Sequence, residues 1–132
     1  LNDRVVEEQL RATLLVNPRP SSETFTRYSF PSKNMEYIAS GTPMLTTRLP
    51  GMPDEYLPHV YILRDESTDG IAAAFEKLLA LDPRELHRKG REAKAFALAQ
   101  KNNVIQARRV VELVTSCRAR SAGDQNASAN VD

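Results

Sequence analysis

The chain has 132 residues, of which 41% are hydrophobic and 27% are charged, a composition typical of one globular domain. Its net charge of +1 gives no strong electrostatic case for nucleic acid or membrane as a partner. With two histidines and one cysteine there is neither a disulfide framework nor a metal-site spacing, and no apolar run reaches the about 20 residues that span a bilayer. The lone Cys117 fits a reducing compartment, so we expect a cytoplasmic protein.

The first predicted elements are a helix and a buried strand. Residues 2–12 place valine and leucine on one stripe at helical spacing. Residues 13–16 form a continuous apolar run that ends at an Asn-Pro breaker. A run without polar alternation is typical of an interior parallel strand. Residues 17–30 then form a polar loop that is long for a strand-to-helix connection, and such loops are often functional.

A short helix with defined ends follows between Phe30 and Pro43. Pro31 suits the first turn, where its missing N–H costs nothing, and Ser29 or Ser32 can cap it. Gly41 suits the residue just after the last turn. We therefore predict a helix over about residues 31–40.

One face of this helix has the residues of a phosphate-and-sugar site. Ser32 and Lys33 stand at its N-terminus, where the helix dipole and free N–H groups favour an anion. Glu36 follows about one turn, or about 5 Å, further along the axis, which suits a sugar hydroxyl attached to that phosphate. The spacing indicates a nucleotide or phosphorylated ligand. An ordinary amphipathic helix with a solvated Lys and Glu is the alternative, because such short patterns also occur by chance.

Two more short strands are predicted at residues 44–47 and 60–63, and their alternation with helices implies a parallel sheet. The predicted fold class is α/β, a partial Rossmann-like sheet of about three strands with flanking and C-terminal helices. Free-standing sheets of this kind usually have about five or six strands. Since the chain also begins with Leu1 and enters a helix at once, we expect it to be an excerpt of a longer protein.

Three helices complete the predicted domain. Ser67 or Thr68 can begin the first, the sequence Asp-Pro-Arg-Glu at 82–85 is a capping box for the second, and Asn102 or Asn103 can begin the third. Gly90 is expected to weaken the second by about 1 kcal/mol against alanine. From Ser116 the composition turns to small and polar residues, so we predict a domain over 1–115 and a disordered tail over 116–132.

Several of these stretches together resemble the C-terminal half of the retaining GT-B glycosyltransferases of group 4, the "glycosyltransferase group 1" set that builds bacterial polysaccharides and glycolipids. The resemblance covers roughly residues 5–114. Its motifs are Leu14-Leu15-Val16-Asn17-Pro18-Arg19, Tyr28-Ser29-Phe30-Pro31-Ser32-Lys33 and Glu36-Tyr37-Ile38-Ala39-Ser40-Gly41-Thr42-Pro43.

The resemblance implies roles for particular residues. Ser32 and Lys33 would lie at the diphosphate, and Glu36 matches the second Glu of the family's Glu-x7-Glu motif, which holds the ribose. Tyr28 stands where the first Glu is expected, which is a departure from the pattern. Glu23 or the Tyr28 hydroxyl would then have to hold the donor sugar.

Arg19 ends a strand at the edge of the sheet where open α/β folds bind ligands. Contact with a phosphate and a salt bridge within the loop are both consistent with that position. No residue of the chain is assigned as catalytic.

The implied activity is transfer of a sugar from a UDP- or GDP-sugar to an acceptor sugar or lipid-linked sugar, with retention and without a metal. The family's N-terminal Rossmann-like domain, which supplies most of the acceptor site, is not in this chain, so we expect the chain alone to be inactive. We expect the full-length protein to bind no nucleic acid and to be able to associate peripherally with a membrane. The competing reading is a non-catalytic, truncated α/β domain that binds a nucleotide or a protein. Another phosphate-binding α/β protein is disfavoured, because there is no Gly-rich phosphate loop.

Overall fold

The computed structural model describes the backbone of residues 2–128 and the side chains of residues 3–118. The chain divides after Leu98 into two compact units. The elements in chain order are α1 (Asn2–Arg11), β1 (Leu15–Asn17), a 3-10 helix (Thr24–Tyr28), α2 (Ser32–Ser40), β2 (Met44–Thr47), a second 3-10 helix (Asp54–His59), β3 (Tyr61–Leu63), α3 (Thr68–Leu79), α4 (Pro83–Gln100) and α5 (Asn103–Ser128).

The first unit is built on a parallel sheet in the order β1-β2-β3. The register pairs Asn17 with Thr46 and Thr47 with Leu63, so the carboxyl ends of the three strands lie together at one edge. All four residues of β2 are buried, as expected for the central strand of a sheet covered on both faces. The predicted fold class is therefore confirmed.

Two apolar clusters lie on opposite sides of this sheet. Successive residues of a strand point to opposite faces, and Met44 and Leu45 of β2 accordingly belong to different clusters. Met44 packs with residues of α2 and α4, whereas Leu45 packs with Leu78 of α3. The helices of the first unit therefore cover both faces of the sheet. The edge where the strands end is not one of these covered faces.

The C-terminal end of α2 agrees with the sequence prediction, and the N-terminal end does not. Gly41 has a φ of 85° and its N–H donates to the Ile38 carbonyl, so the predicted glycine at the helix end is confirmed. The predicted serine cap is wrong, because Pro31 occupies the cap position and no side chain in the described part of the chain caps the helix. The hydroxyl of Ser29 is buried without a hydrogen-bond partner among the described residues. The N-terminus of α2 is thus left uncapped.

The glycine in the middle of α4 has a packing role. A Cβ at Gly90 would overlap the carbonyl oxygen of Gly41 and lie 2.8 Å from the Pro43 nitrogen. Glycine at this position lets α4 pack directly on the backbone of the turn that ends α2. The helix-weakening cost expected from the sequence is therefore outweighed by a contact that alanine cannot make.

The predicted caps Ser67 and Asn102 are confirmed, whereas at Asp82 the carboxylate caps its helix without the return bond from Glu85 that a capping box needs, among the described residues. The Ser67 hydroxyl accepts from the Gly70 N–H at 3.1 Å, and the Asp82 carboxylate accepts from the Arg84 N–H at 2.7 Å. The Asn102 side chain accepts from the Ile105 N–H at 2.9 Å. Each of these side chains accepts a hydrogen bond from a backbone N–H in the first turn of its helix, which has no acceptor within the helix.

The second unit contains α5, whose backbone is helical through Ser128. The helix thus continues past Ser116, where the composition predicts that order ends, and alanine and arginine at 118–120 are good helix formers. Residues 129–132 of the predicted tail lie outside the described residues, and the domain boundary stays a prediction. Within the described part of the chain, none of the helices combines the length and the apolar character needed to cross a bilayer.

Candidate functional site

The start of α2 is held at the carboxyl edge of the sheet. In a parallel strand–helix–strand unit the helix runs back against the strands, so its N-terminus lies where the first strand ends. The side-chain amide of Asn17, the last residue of β1, donates to the side-chain oxygen of Asn34 at 2.6 Å. Asn34 is buried, with 1% of its surface exposed. This bond fixes the first turn of α2 against the end of β1.

The start of α2 has the features of an anion-binding helix N-terminus. The Asn34 N–H donates to the Pro31 carbonyl at 2.9 Å, whereas among the described residues no side chain caps the preceding N–H groups of Ser32 and Lys33. Both of these side chains are exposed. Free N–H groups and the positive end of the helix dipole attract phosphate, and the ammonium of Lys33 adds a full charge.

Glu36 lies one turn further along α2, on the side that faces α1. It is exposed and borders an open cleft of about 510 Å³. The wall of that cleft is largely apolar on the α1 side and carries a lysine from α4; its other lining residues are Val5, Val6, Gln9, Leu10, Ala39, Ser40 and Lys94. The carboxylate is thus beside an apolar surface and a cation.

An arginine follows each of the three strands. Arg48 comes directly after β2, Arg64 directly after β3, and Arg19 two residues after β1. Arg48 and Arg64 line one cleft of about 500 Å³, and Arg19 lines a neighbouring cleft of about 260 Å³. The two clefts share Thr47, Leu63 and Glu66. Sequence reasoning named only Arg19; the missed signal was a cation just beyond every predicted strand.

Hydrogen bonds tie the loops of this edge together. The Arg19 N–H donates to the Thr47 hydroxyl at 3.2 Å, and the Ser21 N–H donates to the Glu66 carboxylate at 2.9 Å. Arg48 pairs with Asp54 at 2.9 Å, but both side chains are more than half exposed. An exposed pair of this kind is worth little, so a bound anion can replace Asp54 at low cost.

The other two predicted sugar-binding residues lie in the loop before α2. Tyr28 is 85% exposed, and the Arg27 guanidinium lies 6.0 Å from the centre of its ring. Glu23 is exposed and precedes the 3-10 helix, where its carbonyl accepts from the Thr26 hydroxyl at 2.6 Å. Neither residue lines the clefts described above. Their assignment to the donor sugar stays a prediction.

One carboxylate near the edge is held in its charged form. The Ser67 N–H donates to Asp65 at 2.9 Å. Hydrogen bonds from the backbone and the side chain of Ser67 lower the pKa of Asp65, and desolvation raises it by a smaller amount. Asp65 directly follows Arg64. In the described part of the chain, no group of three or more His, Cys, Asp or Glu could hold a metal ion. The expectation of metal-independent chemistry remains untested.

Comparison with known proteins identifies a family that the chain matches. A family described as glycosyl transferase-like matches the chain over residues 5–112. No match was found among curated proteins or among solved structures. The matched range covers the sheet, the start of α2 and all of the clefts at the strand ends.

Proposed function

The chain belongs to the glycosyl transferase-like family, and from this premise we propose that the start of α2 holds the diphosphate of a nucleotide-sugar donor. The chain would form part of a retaining GT-B glycosyltransferase of group 4, in which an N-terminal Rossmann-like domain closes over the same cleft. The full-length protein would use a UDP- or GDP-sugar to build a polysaccharide or glycolipid in the cytoplasm of a bacterium.

The uncapped N-terminus of α2 carries this proposal. In the reaction the bond between the anomeric carbon and a phosphate oxygen breaks, and a bond from the acceptor hydroxyl forms on the same face of the sugar. The acceptor's proton leaves with the departing diphosphate, whose negative charge grows in the transition state. N–H groups of Ser32 and Lys33 that are already in place, and the ammonium of Lys33, stabilise that charge without a metal.

Glu36 would hold the ribose. A carboxylate accepts hydrogen bonds from two neighbouring hydroxyl groups, and one helical turn is the distance from a phosphate to the sugar that bears it. The apolar wall formed by α1 offers a surface for the base. This arrangement favours a nucleoside diphosphate over a simple sugar phosphate, because it engages three parts of one ligand.

The clefts at the strand ends would take the rest of the donor. Arg19 lies two residues after β1 and lines a cleft at the strand ends, where it would contact the diphosphate. Arg48, Arg64 and Glu66 provide donors and an acceptor around an apolar floor, which suits a hydroxyl-bearing sugar. Tyr28 and Glu23 remain proposed contacts of the sugar from the preceding loop.

Calorimetric titration of the chain with UDP and with GDP tests the proposal. Lys33→Gln and Glu36→Gln should each weaken binding roughly tenfold to a hundredfold, the effect of one charged hydrogen bond of about 1.5–3 kcal/mol. Lys77→Gln and Glu76→Gln, on the exposed surface of α3, are the matched controls. If neither nucleotide binds, or if binding ignores both α2 variants, the proposal is wrong.

A further inference from the structure

The three arginines beyond the strands follow one another across the carboxyl edge of the sheet. In the strand order β1-β2-β3, Arg19 comes after one outer strand, Arg48 after the central strand and Arg64 after the other outer strand. Neighbouring strands are about 4.8 Å apart, so the end of β3 is about 10 Å from the end of β1. The first turn of α2 is fastened to the end of β1. That interval is wide enough for a sugar ring attached to a diphosphate at α2.

The cleft of about 500 Å³ beyond β2 and β3 carries an excess of positive charge. Its charged lining residues are Arg48, Arg64 and Glu66, two guanidinium groups against one carboxylate. One oxygen of that carboxylate already accepts from the Ser21 N–H at 2.9 Å. Asp54, the partner of Arg48, does not line this cleft. A ligand that enters the cleft therefore meets more positive than negative charge.

Both guanidinium groups of the cleft are accessible to a new anionic partner. Arg64 is exposed, and it forms no ion pair within the part of the chain that the structure describes. The carboxylate of the adjoining Asp65 accepts from the Ser67 N–H at 2.9 Å. The side chains of the ion pair between Arg48 and Asp54 are both more than half exposed, so an incoming anion replaces Asp54 at little cost.

The chemistry of the cleft indicates which kind of anion it takes. A guanidinium group binds a planar carboxylate through two parallel hydrogen bonds, and such charged bonds are about twice as strong as neutral ones. The apolar side chains of Leu57, Ile62 and Leu63 line the same cleft and suit the C–H face of a sugar ring. A neutral sugar would cover this apolar part but leave the excess positive charge without a counter-ion. A sugar that carries a carboxylate engages both parts of the cleft.

We propose that the donor bound by this chain is the nucleotide sugar of a hexuronic acid, whose carboxylate is bound by Arg48 and Arg64. Oε1 of Glu66 accepts a hydrogen bond from a hydroxyl group of the same ring and so orients it. The two arginines determine specificity, since they contact the carboxylate of the sugar and not the bond that breaks. This inference rests on the proposed function, because it takes the diphosphate to lie at the start of α2.

Paired nucleotide sugars that differ only in this carboxylate test the inference. The chain is titrated with UDP-glucose and UDP-glucuronate, with UDP-galactose and UDP-galacturonate, and with GDP-mannose and GDP-mannuronate. In at least one pair the acid should bind roughly tenfold to a hundredfold more tightly, the effect of one hydrogen bond to a charged group. The preference for the acid should shrink as salt is added, because the cleft is open and counter-ions screen the charges.

Substitutions of Arg64 locate the effect. Arg64→Gln should abolish most of the preference for the acid and leave the affinity for UDP or GDP without a sugar unchanged. Arg64→Lys keeps the charge but not the planar fork, so its preference should be intermediate. Arg84→Gln, at an exposed position of α4, is the matched control with the same loss of charge and should keep the full preference. Since both arginines are exposed, all three variants should have the urea midpoint of the wild type.

The possible results separate this inference from the proposed function. Equal or weaker binding of the acid in all three pairs overturns the inference, while binding of UDP or GDP leaves the proposed function intact. A loss of affinity for the nucleotide alone in Arg64→Gln also overturns it, because the arginine then binds the diphosphate. A preference for the acid that survives Arg64→Gln shows that the carboxylate is bound elsewhere, and the inference is wrong. If no nucleotide binds, the proposed function fails and this inference fails with it.

Discussion

The side-chain amide of Asn17 donates to the side chain of Asn34 at 2.6 Å and so joins the end of β1 to the first turn of α2. Asn34 is almost fully buried, so its amide cannot turn to bulk water for a substitute, whereas Asn17 is partly exposed. This polar pair therefore holds the proposed phosphate seat against the end of β1.

Breaking this pair should destabilise the chain. Asn17→Ala leaves the buried side-chain oxygen of Asn34 without its donor, and we expect a loss of about 1–3 kcal/mol in the free energy of unfolding. Urea denaturation of Asn17→Ala, Asn34→Ala and the double variant gives the coupling energy between the two side chains. A coupling energy near zero would mean that the bond does not hold α2 in place.

Gly90→Ala should destabilise the chain even though alanine is the better helix former. The helix-propensity gain of about 1 kcal/mol is smaller than the cost of moving α4 away from the backbone of Gly41 and Pro43, so a net loss of about 1–3 kcal/mol is expected. Ala95→Gly, at an exposed position of the same helix, is the control and should cost about 1 kcal/mol through propensity alone. Urea denaturation measures both, and a more stable Gly90→Ala variant would falsify the close approach.

Gly41 should tolerate asparagine better than alanine. At a φ of 85° a side chain is strained by roughly 1–2 kcal/mol, but asparagine enters this conformation more readily than other residues. The nearest side-chain atom to a new Cβ is Lys94 Cδ at 3.1 Å, and this flexible chain can move aside. Thermal unfolding should rank wild type above Gly41→Asn and Gly41→Asn above Gly41→Ala. Equal midpoints for the two variants would show that space, not backbone conformation, limits this position.

The stability of the chain should fall in mild acid because of His59. Its ring stacks on Phe96 with centroids 4.1 Å apart, and burial first and the charge of Lys89 second lower its pKa below the usual 6.5, against a weaker opposing effect of Glu92. Between the lowered pKa and about pH 6.5, the unfolded chain binds more protons than the folded chain. The contribution of neutral His59 to the free energy of unfolding is therefore fully present above pH 6.5 and is lost as the pH falls through the lowered pKa.

The variant His59→Phe isolates this effect. It keeps an aromatic ring against Phe96 but cannot titrate, so its urea midpoint should depend less on pH between about pH 5 and pH 8. His87→Gln, at an exposed position of α4, should keep the wild-type dependence. The assignment fails if both variants show the same pH profile.

Arg48 should matter more for ligand binding than for stability. Its ion pair with Asp54 is exposed, and pairs of this kind contribute about 0–1 kcal/mol. Arg48→Gln should therefore change the free energy of unfolding by less than about 1 kcal/mol while it weakens binding of a UDP- or GDP-sugar. Comparing affinities for the nucleotide and the nucleotide sugar assigns the effect to the sugar. A variant that unfolds more easily but binds equally well would make Arg48 a structural residue.

Local chemistry explains why much of the fold could be predicted from the sequence. A continuous apolar run marked β1, and Gly41 marked the end of α2. The side chains of Ser67 and Asn102 begin their helices where the sequence expected a cap. These features depend on neighbours within a few residues.

What the sequence did not reveal depends on contacts between distant residues. Gly90 reads as a weak point of a helix until the backbone of Gly41 is brought against it. Arg48 and Arg64 become neighbours only through the register that pairs Thr47 with Leu63. The empty cap of α2 was missed because serine is a good cap in general, whereas here Pro31 takes that position. For the candidate site, Arg19 and the residues of α2 were named from the sequence, whereas Arg48, Arg64 and the grouping into separate clefts were not.

α2 is fastened at both ends, by Asn17 at its first turn and by the approach of Gly90 to the turn after its last residue. A helix fixed in this way cannot slide along its axis to meet a ligand. Its first N–H groups are therefore oriented before any phosphate arrives, and binding there loses little conformational entropy. Such preorganisation would let the chain recognise a diphosphate by a rigid scaffold, leaving the adjustable loops beyond the strands to distinguish one sugar from another.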